Sequence, residues 1–492
     1  MTRKTRLVFI SVFLAMNLFA REEYTRTFDK TIQVSAGERI SIEHQMGDIV
    51  IHTQSKPEVT IHADIRVSAS TADEAKSYAD RIEIRIEPSS SLLAIRTRYP
   101  QTRNFFGMHN TSYYVRYDIG MPETCPLDIR NSFGAVSVAG IKANSDIVTS
   151  HGALDFRDGK GTQRLENSFA AIHVMNNAGD ITVDDTNASV DVAGIAGALN
   201  LRNRFGNVKA DRISKGVSIT NSNGSVDITG SGGIGTVRNS FGSVTVQTFH
   251  GDLTVNDSNG KVQATGVDGQ ASLETTFGEV RFSDIKQQLS VHANNSRIQG
   301  ERVGGPVSIQ NSFGPVNLAN VQQSARVQSG NGEVSVANVH GTANLKTSFG
   351  TVHAAGIDGL LTVENQNGGV RAENARGAQI ITSFGPVILD GISGPIQIED
   401  QNGAVDVGAV AKANCQPIII KTSFSTLRVR LQGEPSYRVS ARTSFGKIRT
   451  DFPLSVSGSV SSDSLSGTIG SGRCEMRLTD NNGNVEILRS GP

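Results

Sequence analysis

The fold of this 492-residue chain is predicted from residues 239–256, Asn239-Ser-Phe-Gly-Ser-Val-Thr-Val-Gln-Thr-Phe-His-Gly-Asp-Leu-Thr-Val-Asn256. The stretch holds two short runs in which apolar and polar residues alternate, Val244/Val246 and Leu253/Val255. Alternation with a period of two is typical of a strand with one buried face, whereas a helix repeats its apolar residues every three or four positions. The stretch therefore predicts two short strands joined by turns.

The same unit recurs at a fixed interval. A Ser-Phe-Gly motif or a close variant returns every 36 residues up to Phe349 and once more 35 residues later, and a second corner, usually Asn, lies midway. The underlying repeat is an 18-residue unit, with Phe and Asn alternating at one corner. We predict these residues to be the structural corners of the repeat: Phe133, Phe169, Phe205, Phe241, Phe277, Phe313, Phe349 and Phe384, with Asn223, Asn259, Asn331, Asn367 and Asn402.

A constant unit length without intervening helices implies stacked coils, in which each strand pairs with its equivalent in the next coil. Recurring glycines suit turns that need a positive φ or a close approach of two backbones. We predict an all-β fold, a parallel β-solenoid (β-helix) of 18-residue two-strand units. The size of one coil stays open. The apolar pattern repeats every 18 residues, which favours an 18-residue coil, whereas Phe returns only every 36 residues, which favours a 36-residue coil of four strands.

The ends depart from the repeat and set the predicted domain bounds. Residues 21–130 are predicted to form an irregular β-rich cap with one short helix at Thr71–Asp80, in which Thr71 is the N-cap. Residues 131–450 are the predicted repeat array. Residues 451–492 are predicted to form a closing coil and cap that includes a Ser/Gly-rich loop at 455–472. Caps are expected because open solenoid ends expose unpaired strand edges.

Residues 1–20 have the features of a signal peptide. A basic segment with Arg3, Lys4 and Arg6 precedes an apolar stretch that ends near Ala20. That stretch is shorter than the roughly 20 residues needed to span a bilayer. We therefore expect export to the periplasm, the outer surface or the medium, with no transmembrane span in the mature chain.

Composition excludes several classes of function. Lys and Arg together number 47, as do Asp and Glu, so no basic field is available to hold nucleic acid. Cys125, Cys415 and Cys474 are too far apart for a zinc motif and are predicted to be buried, with a Cys415–Cys474 bridge as the alternative. The corners lack the recurring Asp of calcium-binding β-rolls. We predict no metal and no cofactor.

No group of residues points to catalysis. Asp180, Asp184 and Asp185 come closest to the clustered acids that polysaccharide lyases and hydrolases use, but solvated acids at strand ends are the simpler interpretation. Residues 230–235 match the dinucleotide fingerprint by letters, yet a strand follows where a helix is required, so a turn is predicted. The Phe column is interpreted as structural, with rings tucked into the coil end and stacked. An exposed aromatic ladder for glycans is the alternative.

Several motifs together resemble a known family. They are Met46-Gly-Asp-Ile-Val-Ile51, the stretch from Tyr114 to Pro122 leading into Asn131-Ser-Phe-Gly134, the repeated corners, and the closing Asn482-Gly-Asn-Val-Glu-Ile487. With them the chain resembles the bacterial putative-adhesin family, a domain of unknown function rich in β-strand repeats. The resemblance implies an exported or envelope-associated β-solenoid with no known enzymatic role. A fold alone does not fix a function.

The sequence therefore predicts a non-enzymatic exported or envelope-associated solenoid that serves as an adhesin-like surface scaffold or binding protein. Two alternatives are a β-helix enzyme that processes polysaccharides and an envelope-stress component that binds peptides or lipids. Nucleic acid is excluded as a partner. The partner stays open among a cell-surface glycan, another envelope component and a protein.

Overall fold

The computed structural model describes residues 21–100, 111–410, 416–456 and 461–490. The chain divides into two compact units, Met1–Gly161 and Thr162–Pro492, which are described separately below. The predicted signal peptide at residues 1–20 and Cys415, half of the considered disulfide, lie outside the described residues. Cys125 is a buried free thiol, as expected for a small apolar residue.

The first unit contains eleven strands and a helix among its described residues. They are β1 (Glu22–Gln33), β2 (Arg39–Met46), β3 (Ile49–Gln54), β4 (Glu58–Ala69), α1 (Ala72–Asp80), β5 (Glu83–Pro88), β6 (Leu92–Arg98), β7 (Ser112–Pro122), β8 (Leu127–Phe133), β9 (Val136–Ala139), β10 (Ser145–Val148) and β11 (Leu154–Lys160). The predicted helix and its cap are confirmed, because the Thr71 hydroxyl accepts a hydrogen bond of 3.2 Å from the Glu74 amide.

Chain order and spatial order differ in the first unit. Strand β2 pairs in parallel with both β6 and β8, and β3 pairs in parallel with both β7 and β9. The coil of β2 and β3 therefore lies between a later coil, β6/β7, and the start of the regular repeat, β8/β9. Antiparallel strands β5 on β6 and β4 on β7 cover the outer coil, and β1 extends this sheet from β4. The predicted β-rich cap is built in this way.

The second unit is made of strands alone over its described residues. Its first half contains β12 (Gln163–Asn167), β13 (Ile172–Ala178), β14 (Ile181–Asp185), β15 (Val190–Ile195), β16 (Ala198–Phe205), β17 (Val208–Ile213), β18 (Gly216–Asn223), β19 (Val226–Gly232), β20 (Ile234–Phe241), β21 (Val244–His250), β22 (Leu253–Asn259), β23 (Val262–Val267), β24 (Ala271–Ile285) and β25 (Leu289–Val303).

The second half continues the series to the C-terminal end. It contains β26 (Val307–Phe313), β27 (Val316–Val321), β28 (Ala325–Asn331), β29 (Val334–Val339), β30 (Ala343–Phe349), β31 (Val352–Asn367), β32 (Val370–Phe384), β33 (Val387–Asp390), β34 (Ile396–Glu399), β35 (Val405–Val410), β36 (Ile418–Lys421), β37 (Leu427–Leu431), β38 (Tyr437–Arg442), β39 (Ile448–Thr450), β40 (Ser455–Val456), β41 (Ser464–Ile469), β42 (Cys474–Thr479) and β43 (Val485–Arg489).

Strand pairing in the second unit resolves the coil size. Equivalent strands of successive coils pair in parallel at an 18-residue spacing, as in Val226↔Val244 and Gly235↔Leu253. One coil is therefore an 18-residue unit with two main strands, and the 36-residue coil is wrong. The 36-residue Phe period instead describes an alternation between successive coils. The predicted parallel β-solenoid is confirmed.

The interior is lined by the apolar residues of the two alternating runs. Val244, Val246, Leu253 and Val255 are each at most 1% exposed, and their equivalents in neighbouring coils are buried in the same way. A single coil buries only these few aliphatic side chains, each worth about 1.5–3 kcal/mol. Stacking therefore supplies the rest of the stabilisation through hydrogen bonds and apolar contacts between coils.

The glycines between the runs are needed mainly for close backbone approach. A Cβ on Gly251 would lie 1.9 Å from the carbonyl oxygen of Gly233 in the preceding coil. Most residues other than glycine that have a positive φ fall on a different column, three positions earlier, including Arg212 (φ 52°) and Thr248 (φ 55°). That column has Gly at some coils, such as Gly230, and was not anticipated from the sequence.

The C-terminal end is threaded out of order. Strand β42 pairs in parallel with both β36 and β38, and β43 pairs with both β37 and β39. The last coil is therefore inserted between two earlier coils, and the prediction that it closes the array is wrong. The predicted loop at 455–472 is also wrong in part, because β41 pairs antiparallel with β38 and buries Leu465 and Ile469.

Candidate functional site

The corner residues of the second unit form one exposed column, with one residue contributed by each coil. The pairing of Phe241 with Asn223 on one side and Asn259 on the other shows the alternation directly. We call this set the corner column. Its Phe members are Phe169, Phe205, Phe241, Phe277, Phe313, Phe349, Phe384, Phe424 and Phe445, and its Asn members are Asn187, Asn223, Asn259, Asn295, Asn331, Asn367, Asn402 and Asn482.

The phenylalanines of the corner column face the surroundings. The seven phenylalanines from Phe169 to Phe384 are each 51–56% exposed. Phe445, at the C-terminal end of the column, is 79% exposed. The expectation that these rings tuck into the coil end is wrong. Stacking between them is also excluded by distance, because rings two coils apart are about 9.6 Å apart, whereas aromatic pairs need about 4.5–7 Å.

Three asparagines of the corner column are tied to the backbone. The Nδ2 atoms of Asn187, Asn223 and Asn259 donate to carbonyl oxygens in the preceding coil, at 3.1, 3.2 and 3.4 Å. This bond draws the amide toward the coil, so it forms a floor between two projecting rings. The corner column is therefore a row of aromatic ridges separated by polar notches.

The out-of-order threading at the C-terminal end preserves the alternation. Phe424 and Phe445 are both Phe corners and would be neighbours if the chain stacked in sequence order. Asn482 of the inserted last coil pairs with Phe424, and the Phe445 amide donates to the Asn481 carbonyl at 2.9 Å. The spatial order is therefore Phe424, Asn482, Phe445, which continues the ridge-and-notch pattern.

The first unit holds its own members of this corner position. Phe133 is 43% exposed and pairs with His151 of the next coil. The two rings stack with centroids 4.6 Å apart and planes 22° from parallel. Here an aromatic residue, instead of Asn, fills the alternate position, which shows that adjacent coils are close enough for rings to stack.

A second column, directed into the coil, consists of buried polar residues. It lies two positions before each corner, and we call it the buried ladder. Asn203 shows the bonding, since its Nδ2 donates to the Ala188 carbonyl of the preceding coil (3.1 Å) and to the Gly206 carbonyl of its own turn (3.3 Å). Its members in the second unit are Asn167, Asp185, Asn203, Asn221, Asn239, Asp257, Thr275, Asn311, Ser329, Thr347, Asn365, Thr382, Asp400, Thr422, Thr443 and Asp480.

Sequence reasoning overlooked the buried ladder, although a signal was present. In the run Leu253, Val255, Asp257 the three residues share one parity, so the third must also face inward. Because the third residue is polar, it interrupts the apolar alternation, and the pattern does not mark it as inward-facing. Carbonyl groups at the corner need donors inside the coil, and Asn supplies them.

Acids in the buried ladder are poorly accommodated. Burial raises the pKa of Asp185 and of Asp257 to about 6. Burial raises the pKa of Asp400 and of Asp480 as well. At these positions an asparagine can donate to the two backbone carbonyls, whereas a carboxylate cannot.

The acids singled out from the sequence do not converge. Asp185 belongs to the buried ladder, and its neighbour Asp184 lies on the outer face, 3.8 Å from the Arg164 guanidinium. Asp180 accepts a hydrogen bond of 2.9 Å from the Ala198 amide. Residues 230–235 run from β19 through Gly233 into β20, so the predicted turn between strands is confirmed.

Two exposed histidines contact acids of the following coil. His250 and His340 each contact an acid of the following coil, Asp268 and Asp358, at 2.7 Å. Across the described ranges no three or more His, Cys, Asp or Glu side chains are grouped closely enough to hold a metal ion. Within the same ranges no helix has the length and apolar character to cross a membrane.

In the first unit His44 occupies the ladder position, opposite Asn131 of the next coil. Its Nε2 lies 3.0 Å from the Val115 carbonyl and therefore donates, so Nδ1 accepts from the Thr97 hydroxyl at 3.0 Å. Thr97 in turn accepts from the Tyr117 hydroxyl at 2.7 Å. Burial lowers the pKa of His44 to about 4, so the ring is neutral at pH 7.

Comparisons with known proteins give a family match over part of the chain. Residues 322–488 match the family model described as Toastrack DUF4097. No curated protein matches the chain. Two solved structures are similar: a putative cell adhesion protein from Clostridium sporogenes, at 11% identity over 38% of this chain and 99% of that one with a TM-score of 0.26, and a putative adhesin from Parabacteroides merdae, at 13% identity over 62% and 96% with a TM-score of 0.17.

Proposed function

We propose that this chain, whose residues 322–488 match the family model described as Toastrack DUF4097, is a non-enzymatic binding protein of the cell envelope or the extracellular space. The corner column of the second unit is its contact surface. The observation that carries the proposal is the regular exposure of phenylalanine along that column. Exposed apolar area of this extent is unusual on a surface without a partner.

The repetition distinguishes this surface from scattered exposed residues. Each Phe side chain has about 200 Å² of accessible area, of which half remains exposed, so nine rings present about 900 Å². The rings are equally spaced and project from a backbone held by coil-to-coil hydrogen bonds. A surface of this kind suits an extended partner that makes the same contact many times.

The polar groups of the chain support binding over catalysis. Asp184 and Asp185 lie on opposite sides of their strand, so they cannot act as the paired acid and base of a polysaccharide hydrolase. The raised pKa of Asp185 follows from its burial in the ladder. A perturbed pKa here is a property of the scaffold.

The test compares the wild-type chain with a triple variant, Phe277→Ser, Phe313→Ser and Phe349→Ser. Retention is measured on cellulose, chitin, peptidoglycan and a surface bearing the wild-type chain itself. A matched control replaces exposed apolar residues outside the column, with Met175→Ser, Ile234→Ser and Leu360→Ser. We expect the column variant alone to lose retention.

Two results would contradict the proposal. One is retention of the column variant equal to that of wild type on every surface that wild type binds. The other is turnover of any polysaccharide in a lyase and hydrolase screen, which would overturn the non-enzymatic assignment. Thermal unfolding of both triple variants checks that the fold is intact.

A further inference from the structure

We infer that the partner of the corner column is a second copy of this chain, docked antiparallel, with the phenylalanines of each copy inserted into the notches of the other. This inference rests on the proposed function, because it names the occupant of the same surface. It follows from the spacing, the symmetry and the area of the column.

The notch between two rings has the width of one more ring. Strands of adjacent coils lie about 4.8 Å apart, so two Phe residues separated by an Asn coil are about 9.6 Å apart. A ring placed midway would lie about 4.8 Å from each neighbour, within the range that aromatic pairs prefer. The stacked pair of Phe133 and His151, at 4.6 Å, shows this spacing in the chain itself.

At Asn223 and Asn259 the hydrogen bond of the asparagine leaves the notch open. The amide of Asn223 is bonded to the Arg204 carbonyl, and that of Asn259 to the Ser240 carbonyl, so both side chains lie back on the coil. An inserted ring would meet an amide whose hydrogen bond is already made. Insertion therefore keeps this hydrogen bond intact, whereas breaking it would oppose burial.

The column is self-complementary under a two-fold axis perpendicular to it. In the second unit it has 17 positions that alternate from Phe169 to Phe445, so Phe lies at both ends. A parallel two-fold pair would place each Phe against itself. If two antiparallel copies are shifted by one coil, 16 positions of each column face each other, and every Phe among them faces an Asn. Both copies then use the same surface, so the contact is isologous and closes as a dimer.

Symmetry then identifies the centre of the dimer. Phe313 is the ninth of the 17 positions, so the axis passes beside it, between Phe313 and either Asn295 or Asn331. In both registers the two copies of Phe313 are one coil apart along the column. Phe205, in contrast, is 11 or 13 coils from its own copy, which is more than about 50 Å.

The area and charge of the surface fit a dimer. The nine rings expose about 900 Å² on each copy, and a stable interface needs about 800 Å² per partner. Every member of the column is Phe or Asn, so docking brings no like charges together along it. The chain as a whole carries a formal net charge of zero, which opposes association little.

The first experiment is sedimentation equilibrium of residues 21–492. We expect a dimer that the column variant Phe277→Ser/Phe313→Ser/Phe349→Ser weakens by about 100-fold or more, because each lost aromatic pair contributes up to about tenfold. The control variant at Met175, Ile234 and Leu360 should dimerise as wild type does. A monomeric wild type, or a dimer indifferent to the column variant, would overturn the inference.

The second experiment tests the geometry with a short bis-maleimide crosslinker. Phe313→Cys should crosslink to its own copy, whereas Phe205→Cys should not, with the wild-type chain as the background for its native cysteines. Equal crosslinking at the two positions would overturn the antiparallel register. If wild type is monomeric yet the column variant loses retention on a glycan, the second copy is rejected while the proposed function stands.

Discussion

Replacing Asp257 with asparagine should stabilise the second unit at neutral pH. Asp257 is 1% exposed and lies in the buried ladder between Asn239 and Thr275. Burial raises its pKa to about 6, although Asn239 and the amides of Ser258 and Asn259 act in the opposite direction. The ionised carboxylate is therefore disfavoured in the folded chain.

The magnitude follows from linkage between protonation and folding. A pKa of about 6 in the folded chain against about 3.9 in an unfolded one corresponds to about 3 kcal/mol. Since the folded pKa is the higher one, this penalty is present in full above pH 6 and disappears as the pH falls from about 6 to about 4. Asparagine cannot ionise, so it removes the penalty.

Asparagine also matches the site better. Asn239, one coil earlier, donates through Nδ2 to the Gly224 and Gly242 carbonyls at 3.3 and 3.2 Å. The equivalent carbonyls for residue 257 belong to Gly242 and Gly260. Two new hydrogen bonds of about 1 kcal/mol each would add to the gain at every pH.

The assay is urea unfolding followed by circular dichroism at about pH 8 and about pH 4. Midpoints are compared directly, because long repeat arrays need not unfold in one step. We expect Asp257→Asn to raise the midpoint strongly at the higher pH and much less at the lower one. Asp227→Asn, on the exposed face, is the matched control. An effect of equal size at both pH values, or none at pH 8, would refute the reasoning.

Three further changes should act in defined directions. His44 is neutral because its pKa is lowered to about 4. The free energy of unfolding of the first unit should therefore fall by about 2 kcal/mol as the pH falls from 7 to 5. His44→Gln should abolish this loss, which is measured as the change in melting temperature between the two pH values. Gly251→Ala would place a Cβ 1.9 Å from a carbonyl oxygen and should lower the free energy of unfolding, measured with urea, by about 3 kcal/mol or more. Its control is Gly230→Ala, where the nearest atom to the new Cβ lies 3.6 Å away and φ is 60°, so the free energy of unfolding should fall by only about 1 kcal/mol. Equal losses in the two variants would contradict the close-approach argument. Asn221→Ala removes two hydrogen bonds to backbone carbonyls and should lower the free energy of unfolding by about 2 kcal/mol in the same assay. Its control, Asn223→Ala, removes one exposed hydrogen bond and should have the smaller effect; a larger effect at Asn223 would contradict the role of the buried ladder.

The residues of the corner column could be predicted from the sequence, but the solvent exposure of its phenylalanines could not. The alternation of Phe and Asn at the 18-residue spacing predicts a column of corner residues, and Phe241 indeed pairs with Asn223 and Asn259. Alternating apolar and polar residues indicate which side chains of a strand point inward, but this pattern gives no information about the turn that follows the strand. Whether Phe241 at the corner lies in or out depends on the turn geometry and on the neighbouring Asn side chains, which no local pattern contains.

The parallel β-solenoid, its apolar interior, the helix capped by Thr71 and the positions of the corners were predictable from the sequence. The solenoid features follow from local alternation and a constant unit length, and each is encoded within one 18-residue unit. The order of the coils at the two ends became visible only in the folded chain. The coil of β2 and β3 and the inserted coil of β42 and β43 each lie between coils that are distant in sequence. Equivalent strands can pair with any neighbour of matching register, so the choice among them depends on contacts that form only when the whole array is assembled.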